Sequence, residues 1–69
     1  MSELSKEANK VLNYLHSIPQ LAKKAVSTKL CREILLYTDG VVFCQGRTWD
    51  VKSEELGAGV HRISLELRG

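Results

Sequence analysis

The apolar residues between positions 21 and 35 change phase part-way along the segment, and this constrains the fold more than any other feature. On a helical projection, the first group covers an arc of roughly 0° to 140° and the second an arc of roughly 180° to 320°. The first group is Leu21, Ala22, Ala25 and Val26, and the second is Leu30, Cys31, Ile34 and Leu35. One straight helix would carry two opposed apolar faces, which a chain of 69 residues can hardly cover. We therefore expect a turn at residues 26–28.

A helix is predicted on each side of that turn. Ser17 followed three residues later by Gln20 has the spacing of a capping box, and Pro19 suits a first helical turn, so one helix should begin near Ile18. Beyond the turn, Ser27 or Thr28 can cap another helix over residues 29–37. A strand over residues 29–37 is the alternative, since residues 34–37 suit one, and it stays open, although the apolar spacing favours a helix.

The two ends of the chain have different periodicities. Ala8, Val11, Leu12 and Leu15 repeat at helical spacing, so residues 5–16 should form an amphipathic helix. The second half instead predicts a hairpin over 41–51 that turns at 45–46, a loop over 52–59, and a half-buried strand over 60–68.

Trp49 is the only tryptophan, and it stands in the returning strand of the predicted hairpin. We expect it to pack against Leu12, Leu15 and Ile34, because a small core needs its largest apolar side chain.

The composition excludes several classes of function. A chain this short has little room for a deep substrate cavity, and GxSxG, HExxH, GxxxxGK[ST] and GxGxxG motifs are all missing, so we expect no enzyme and no cofactor. Cys31 and Cys44 lack zinc-site spacing and are expected to be reduced thiols. The acidic N-terminus and the absence of a long apolar run predict a cytoplasmic protein without signal peptide or membrane span.

The predicted order of helix, helix, short turn, helix and hairpin resembles a winged helix-turn-helix DNA-binding domain. The resembling stretch is LAKKAVSTKLCREILLYTDGVVFCQGRTWDV, residues 21–51, in which Ser27 and Thr28 open the third helix and Asp39-Gly40-Val41 leads into the hairpin. The resemblance implies an α+β domain over 1–69, with two or three N-terminal helices followed by a small antiparallel sheet. The helix-turn-helix would cover about 18–37, with its recognition helix at 28–37 and its wing at 41–51.

The positive charge of the chain lies mainly in its middle third. The formal net charge is +2, and residues 20–47 contain five basic and two acidic side chains. Exposed side chains in the first turns of a recognition helix can reach bases or phosphates, and flanking lysines can reach phosphates. The predicted DNA-binding residues are Lys23, Lys24, Thr28, Lys29, Arg32 and Arg47, with the five basic ones forming one positive face. The first hypothesis is therefore a small transcription-modulating protein that binds double-stranded DNA.

A protein-binding inhibitor or adaptor is the alternative hypothesis. Very small stand-alone domains are often modulators of this kind, for example phage-encoded proteins that act on a host protein. The apolar face of the last strand, formed by Ile63, Leu65 and Leu67, could offer a sheet edge for pairing with another chain. The same feature leads us to expect a homodimer.

Overall fold

The computed structural model describes residues 4–68, and in this range the chain forms two helices and four strands. In chain order they are α1 (Lys6–Ser17), β1 (Lys23–Ser27), α2 (Thr28–Thr38), β2 (Val41–Cys44), β3 (Arg47–Gly57) and β4 (Val60–Leu67). The strands form one antiparallel sheet in the order β1-β4-β3-β2. Both helices pack on the same face of this sheet, and the core lies between the two layers.

The predicted run of two or three N-terminal helices before the sheet is wrong, and with it the winged-helix-like arrangement. Strand β1 stands where the second helix was expected, so no helix-turn-helix is formed over 18–37. The cause of the error is the spacing of the apolar residues. Ala22 and Val26 are the buried members of their group, and two residues four positions apart share a face in a helix and in a strand alike. Leu21 and Ala25, which a helix would have buried, are exposed.

Both helices begin at a serine cap. The Ser5 hydroxyl accepts a hydrogen bond from the Ala8 amide, and the Ser27 hydroxyl accepts one from the Leu30 amide. Each donor–acceptor distance is 3.2 Å. Each bond satisfies one backbone N–H that the first helical turn leaves without a partner. Residues 28–38 are thus helical, the conformation that the apolar spacing favoured over a strand.

The β2–β3 hairpin turns at Gln45 and Gly46, whose φ angles of 53° and 72° are typical of a type I′ turn. Strand β3 continues well beyond the hairpin, so the loop expected from residue 52 onward is wrong over residues 52–57. Those residues pair with β4, from Lys52 opposite Ser64 to Gly57 opposite Val60, and their side chains are exposed. Residues 52–55 are all polar and Leu56 is the one large apolar residue of the stretch, so no apolar alternation indicated a strand.

Strand β4 is central, and it pairs with β1 on one side and β3 on the other. Ile63 and Leu65 face the core, whereas Leu67 at the strand end is 42% exposed. The expectation that this strand offers an edge to another chain is therefore wrong. Within residues 4–68, the edges of the sheet are β1 and β2.

The core is one cluster of apolar side chains from both helices and all four strands. Trp49 is 2% exposed and lies in this cluster together with Leu12, Leu15 and Ile34, the residues expected around it. Its indole N–H donates a hydrogen bond of 3.2 Å to the Cys44 carbonyl across the hairpin. Neither helix in the described range has the length and apolar content needed to cross a membrane.

Candidate functional site

A groove lies between helix α1 and the outer edge of strand β1. It contains a cavity of about 360 Å³. Its lining residues are Glu7, Lys10, Val11 and Tyr14 from α1, Lys24, Ala25 and Val26 from β1, and Leu30 from α2. Because Val11 and Val26 are buried, the floor of the groove is apolar, while its rim carries charged side chains.

The β1 side of the groove has backbone groups that the sheet does not use. The Thr28 amide donates to the Gly59 carbonyl of the turn before β4. In an antiparallel ladder, hydrogen bonding to one neighbour alternates along the strand. Lys24 and Val26 therefore direct their N–H and C=O groups toward β4, whereas Lys23 and Ala25 direct theirs to the other side. No strand within residues 4–68 pairs with that side of β1.

A second cavity, of about 340 Å³, continues the groove toward the start of α2. Glu7 and Leu30 line both cavities, which makes them parts of one depression. The other residues of the second cavity are Ser5, Lys6, Ser27, Lys29 and Glu33. The N-terminal end of α2 therefore borders the groove, and the helix dipole places partial positive charge there.

The groove has an excess of positive charge. Its lining includes four lysines and two glutamates, a net charge of +2, the lysines being Lys6, Lys10, Lys24 and Lys29. The four lysines are exposed and make no ion pair within the described residues. Glu33, in contrast, accepts hydrogen bonds from the Ser5 amide and hydroxyl. We name this surface the α1–β1 groove.

The six residues predicted to bind DNA do not lie on one surface. Lys24 and Lys29 line the α1–β1 groove. Thr28 accompanies Lys29 in the first turn of α2, where its hydroxyl lies 3.0 Å from His61 Nε2. Arg32 is exposed on the same helix, at a position that lies beside Lys29 on the helix surface.

Lys23 and Arg47 lie apart from that group. Lys23 pairs with Ser64, which puts its side chain on the sheet face opposite the helices, since Lys24 and Val26 have the alternate orientation. Arg47 begins β3, which lies between β4 and the opposite edge strand β2. Two strand spacings of about 4.8 Å and five residues of about 3.4 Å separate these two residues, or roughly 20 Å.

Lys6 and Lys10 of the groove were missed in the sequence. Residues 1–19 contain two lysines and two glutamates, so their net charge is zero. A count of net charge by region therefore gave no sign of a basic surface there. The four-residue spacing of the two lysines, which places them on one side of α1, is the signal that could have found them.

The opposite edge of the sheet has a different chemistry. Strand β2 is Val41-Val42-Phe43-Cys44, and it contains no charged residue. Phe43 is 72% exposed. Two apolar residues near the end of α2 are exposed as well, Leu36 at 84% and Tyr37 at 60%. Edge strands are commonly protected by lysine or proline, and β2 has neither.

The thiols and acidic groups form no metal site in the described part of the chain, where no three His, Cys, Asp or Glu side chains are placed to hold an ion. Cys31 and Cys44 are both free. Partial burial raises the pKa of the Cys44 thiol, which favours the unreactive protonated form.

Comparison with models of protein families, with curated proteins and with solved structures found no match to this chain. The interpretation of the groove therefore depends on its geometry and charge.

Proposed function

We propose that this domain is a protein-binding module of the inhibitor or adaptor type, which accepts an extended segment of a partner protein in the α1–β1 groove. The observation that supports this most is the position of an apolar depression directly beside an unpaired strand edge. In such a site, an added strand hydrogen-bonds to the edge, and its alternate side chains enter the neighbouring groove.

The dimensions of the site suit this mode of binding. The outward backbone groups of Lys23 and Ala25 are two residues apart, about 6.8 Å, which is the repeat of an extended strand. A strand paired with β1 would direct every second side chain to the helix side of the sheet, where the apolar floor lies. Leu30 and Val26 there supply apolar contact, while the backbone pairing supplies orientation.

The proposal includes a non-catalytic role in the cytoplasm. The free thiols suit a reducing compartment.

Selection of binders from a displayed library of random decapeptides tests the proposal. We expect binders whose affinity is lost in the Ala25→Pro variant, because proline removes the outward N–H without removing a bond to β4. The matched control is Phe43→Pro, which removes an outward N–H from the other edge strand. Circular dichroism should show both variants folded. The proposed function would be contradicted by binders whose affinity is unchanged in Ala25→Pro, or is reduced equally by both proline substitutions.

DNA binding through α2 is the second candidate. It is supported by the exposed pair Lys29 and Arg32 on one helix, although strand β1, and not a short turn, separates α2 from α1 in the chain. A duplex titration at two salt concentrations distinguishes the candidates, because each phosphate contact contributes about one unit to the salt slope. Salt-sensitive duplex binding that is lost on Lys29→Ala and Arg32→Ala would favour DNA over the groove.

A further inference from the structure

We infer that the segment bound in the α1–β1 groove is acidic, an extended peptide with carboxylate side chains flanking one or two apolar residues. This inference depends on the proposed function and adds the chemistry of the partner. It follows from the charges around the groove, from Lys24 on the β1 edge and from the position of the start of α2.

The lysines stand on both walls of the groove. Lys10 projects from α1 and Lys24 from β1, so they flank the first cavity from opposite sides. Lys6 and Lys29 border the second cavity in the same way, from α1 and α2. An extended peptide along β1 therefore passes between two pairs of ammonium groups, and carboxylates on it would meet a partner on either wall.

The acidic residues of the domain leave these lysines available. Glu33 is held by Ser5, and the two ion pairs in the described range, Arg62–Glu54 and Arg68–Asp50, join other residues. Glu7 is the remaining carboxylate in the lining, where it faces an excess of lysine. A carboxylate from a partner would therefore reduce the excess positive charge of the groove.

Lys24 also makes pairing with a second copy of β1 less favourable. Antiparallel pairing of two β1 strands centred on Lys24 places that residue opposite its own copy, and like charges directly opposite are destabilising. Lysine on an edge strand is a common protection against such pairing. Lys24 therefore disfavours this register of a second β1 strand, and a strand of opposite charge would not meet that repulsion.

The beginning of α2 adds to the preference for carboxylates. Ser27, Lys29 and Leu30 of the first turn line the second cavity. Anionic groups are stabilised near a helix N-terminus, where the dipole supplies partial positive charge. A carboxylate at this end of the peptide would meet both Lys29 and the helix end.

The composition of the selected decapeptides tests the inference. Peptides bound by the wild-type domain should be richer in Asp and Glu than the unselected library. Selection on a Lys10→Glu/Lys24→Glu variant should instead enrich Lys and Arg, and the best acidic peptide should bind this variant at least about tenfold more weakly. The control is Arg47→Glu/Lys52→Glu, which makes the same change in net charge at exposed positions outside the groove and should still select acidic peptides.

Three results would overturn the inference in different ways. Binders that need the Ala25 edge but show no acidic enrichment would reject the acidic partner and leave the proposed function standing. If the enrichment in acidic residues is lost equally in the control variant, its cause is the net charge of the domain and not the groove. If no binder depends on the Ala25 edge, the proposed function fails as well.

Discussion

Truncation of Trp49 should remove most of the stability of this domain. The side chain is 2% exposed in a cluster that joins both helices to the sheet, and its N–H is bonded to the Cys44 carbonyl. Replacing a buried tryptophan by alanine costs about 3–5 kcal/mol. A domain of 69 residues has a free energy of unfolding of about 3–10 kcal/mol, so Trp49→Ala is expected to be unfolded or close to it.

Urea denaturation followed by circular dichroism measures this loss. With a slope of about 1 kcal/mol per molar urea, the midpoint of Trp49→Ala should fall by about 3–5 M. Trp49→Phe keeps a ring but loses the N–H, and we expect it to stay folded with a loss of about 1–3 kcal/mol.

Phe43→Ala is the matched control, because it also removes an aromatic ring from the same hairpin, but at a position that is 72% exposed. We expect this control to change the free energy of unfolding by less than about 0.5 kcal/mol. Equal losses for Trp49→Ala and Phe43→Ala, or a midpoint near that of the wild type for Trp49→Ala, would refute the assignment of the two faces of the sheet.

Three other predictions concern local features. Ser27→Ala removes the cap of α2 and should cost about 1 kcal/mol in thermal or urea unfolding, whereas the exposed Ser53→Ala should cost almost nothing; equal effects would contradict the capping role. Gln45→Asn should stabilise the hairpin by about 0.5–1 kcal/mol, because Asn tolerates the positive φ of 53° better, and a lower melting temperature would argue against the turn type. At pH 8, Cys44 should be alkylated more slowly in the folded chain than in urea, because its raised pKa lowers the thiolate fraction, and the rate should rise with pH. Mass spectrometry after timed alkylation measures these rates, and equal rates in the folded and unfolded chain would contradict the prediction.

Only part of the candidate site could be predicted from the sequence. The middle of the chain was identified as basic, and Lys24 and Lys29 do line the groove. Lys6 and Lys10 were missed because two glutamates in the same segment cancel their charges. The groove itself could not be foreseen, since it exists only where an edge strand runs beside α1, and that strand was expected to be a helix.

Three parts of the fold have local signals in the sequence that are strong enough to specify them. Four apolar residues at helical spacing behind Ser5 specify α1, and the Ser27 cap with Cys31 and Ile34 specifies α2. The Gln45-Gly46 turn between two apolar segments likewise specifies the hairpin.

The other elements depend on contacts between distant segments, and the conformation of residues 23–27 is the main example. The segment Lys-Lys-Ala-Val-Ser has one buried residue, Val26, and no alternation that distinguishes a strand from a helix. It is extended because β4 has a second side whose backbone groups need a partner, and β1 supplies it. Residues 52–57 are a strand for the same reason on the other side of β4. Backbone pairing between distant segments leaves little trace in side-chain pattern, and here that pairing created both the sheet order and the edge on which the proposed binding site depends.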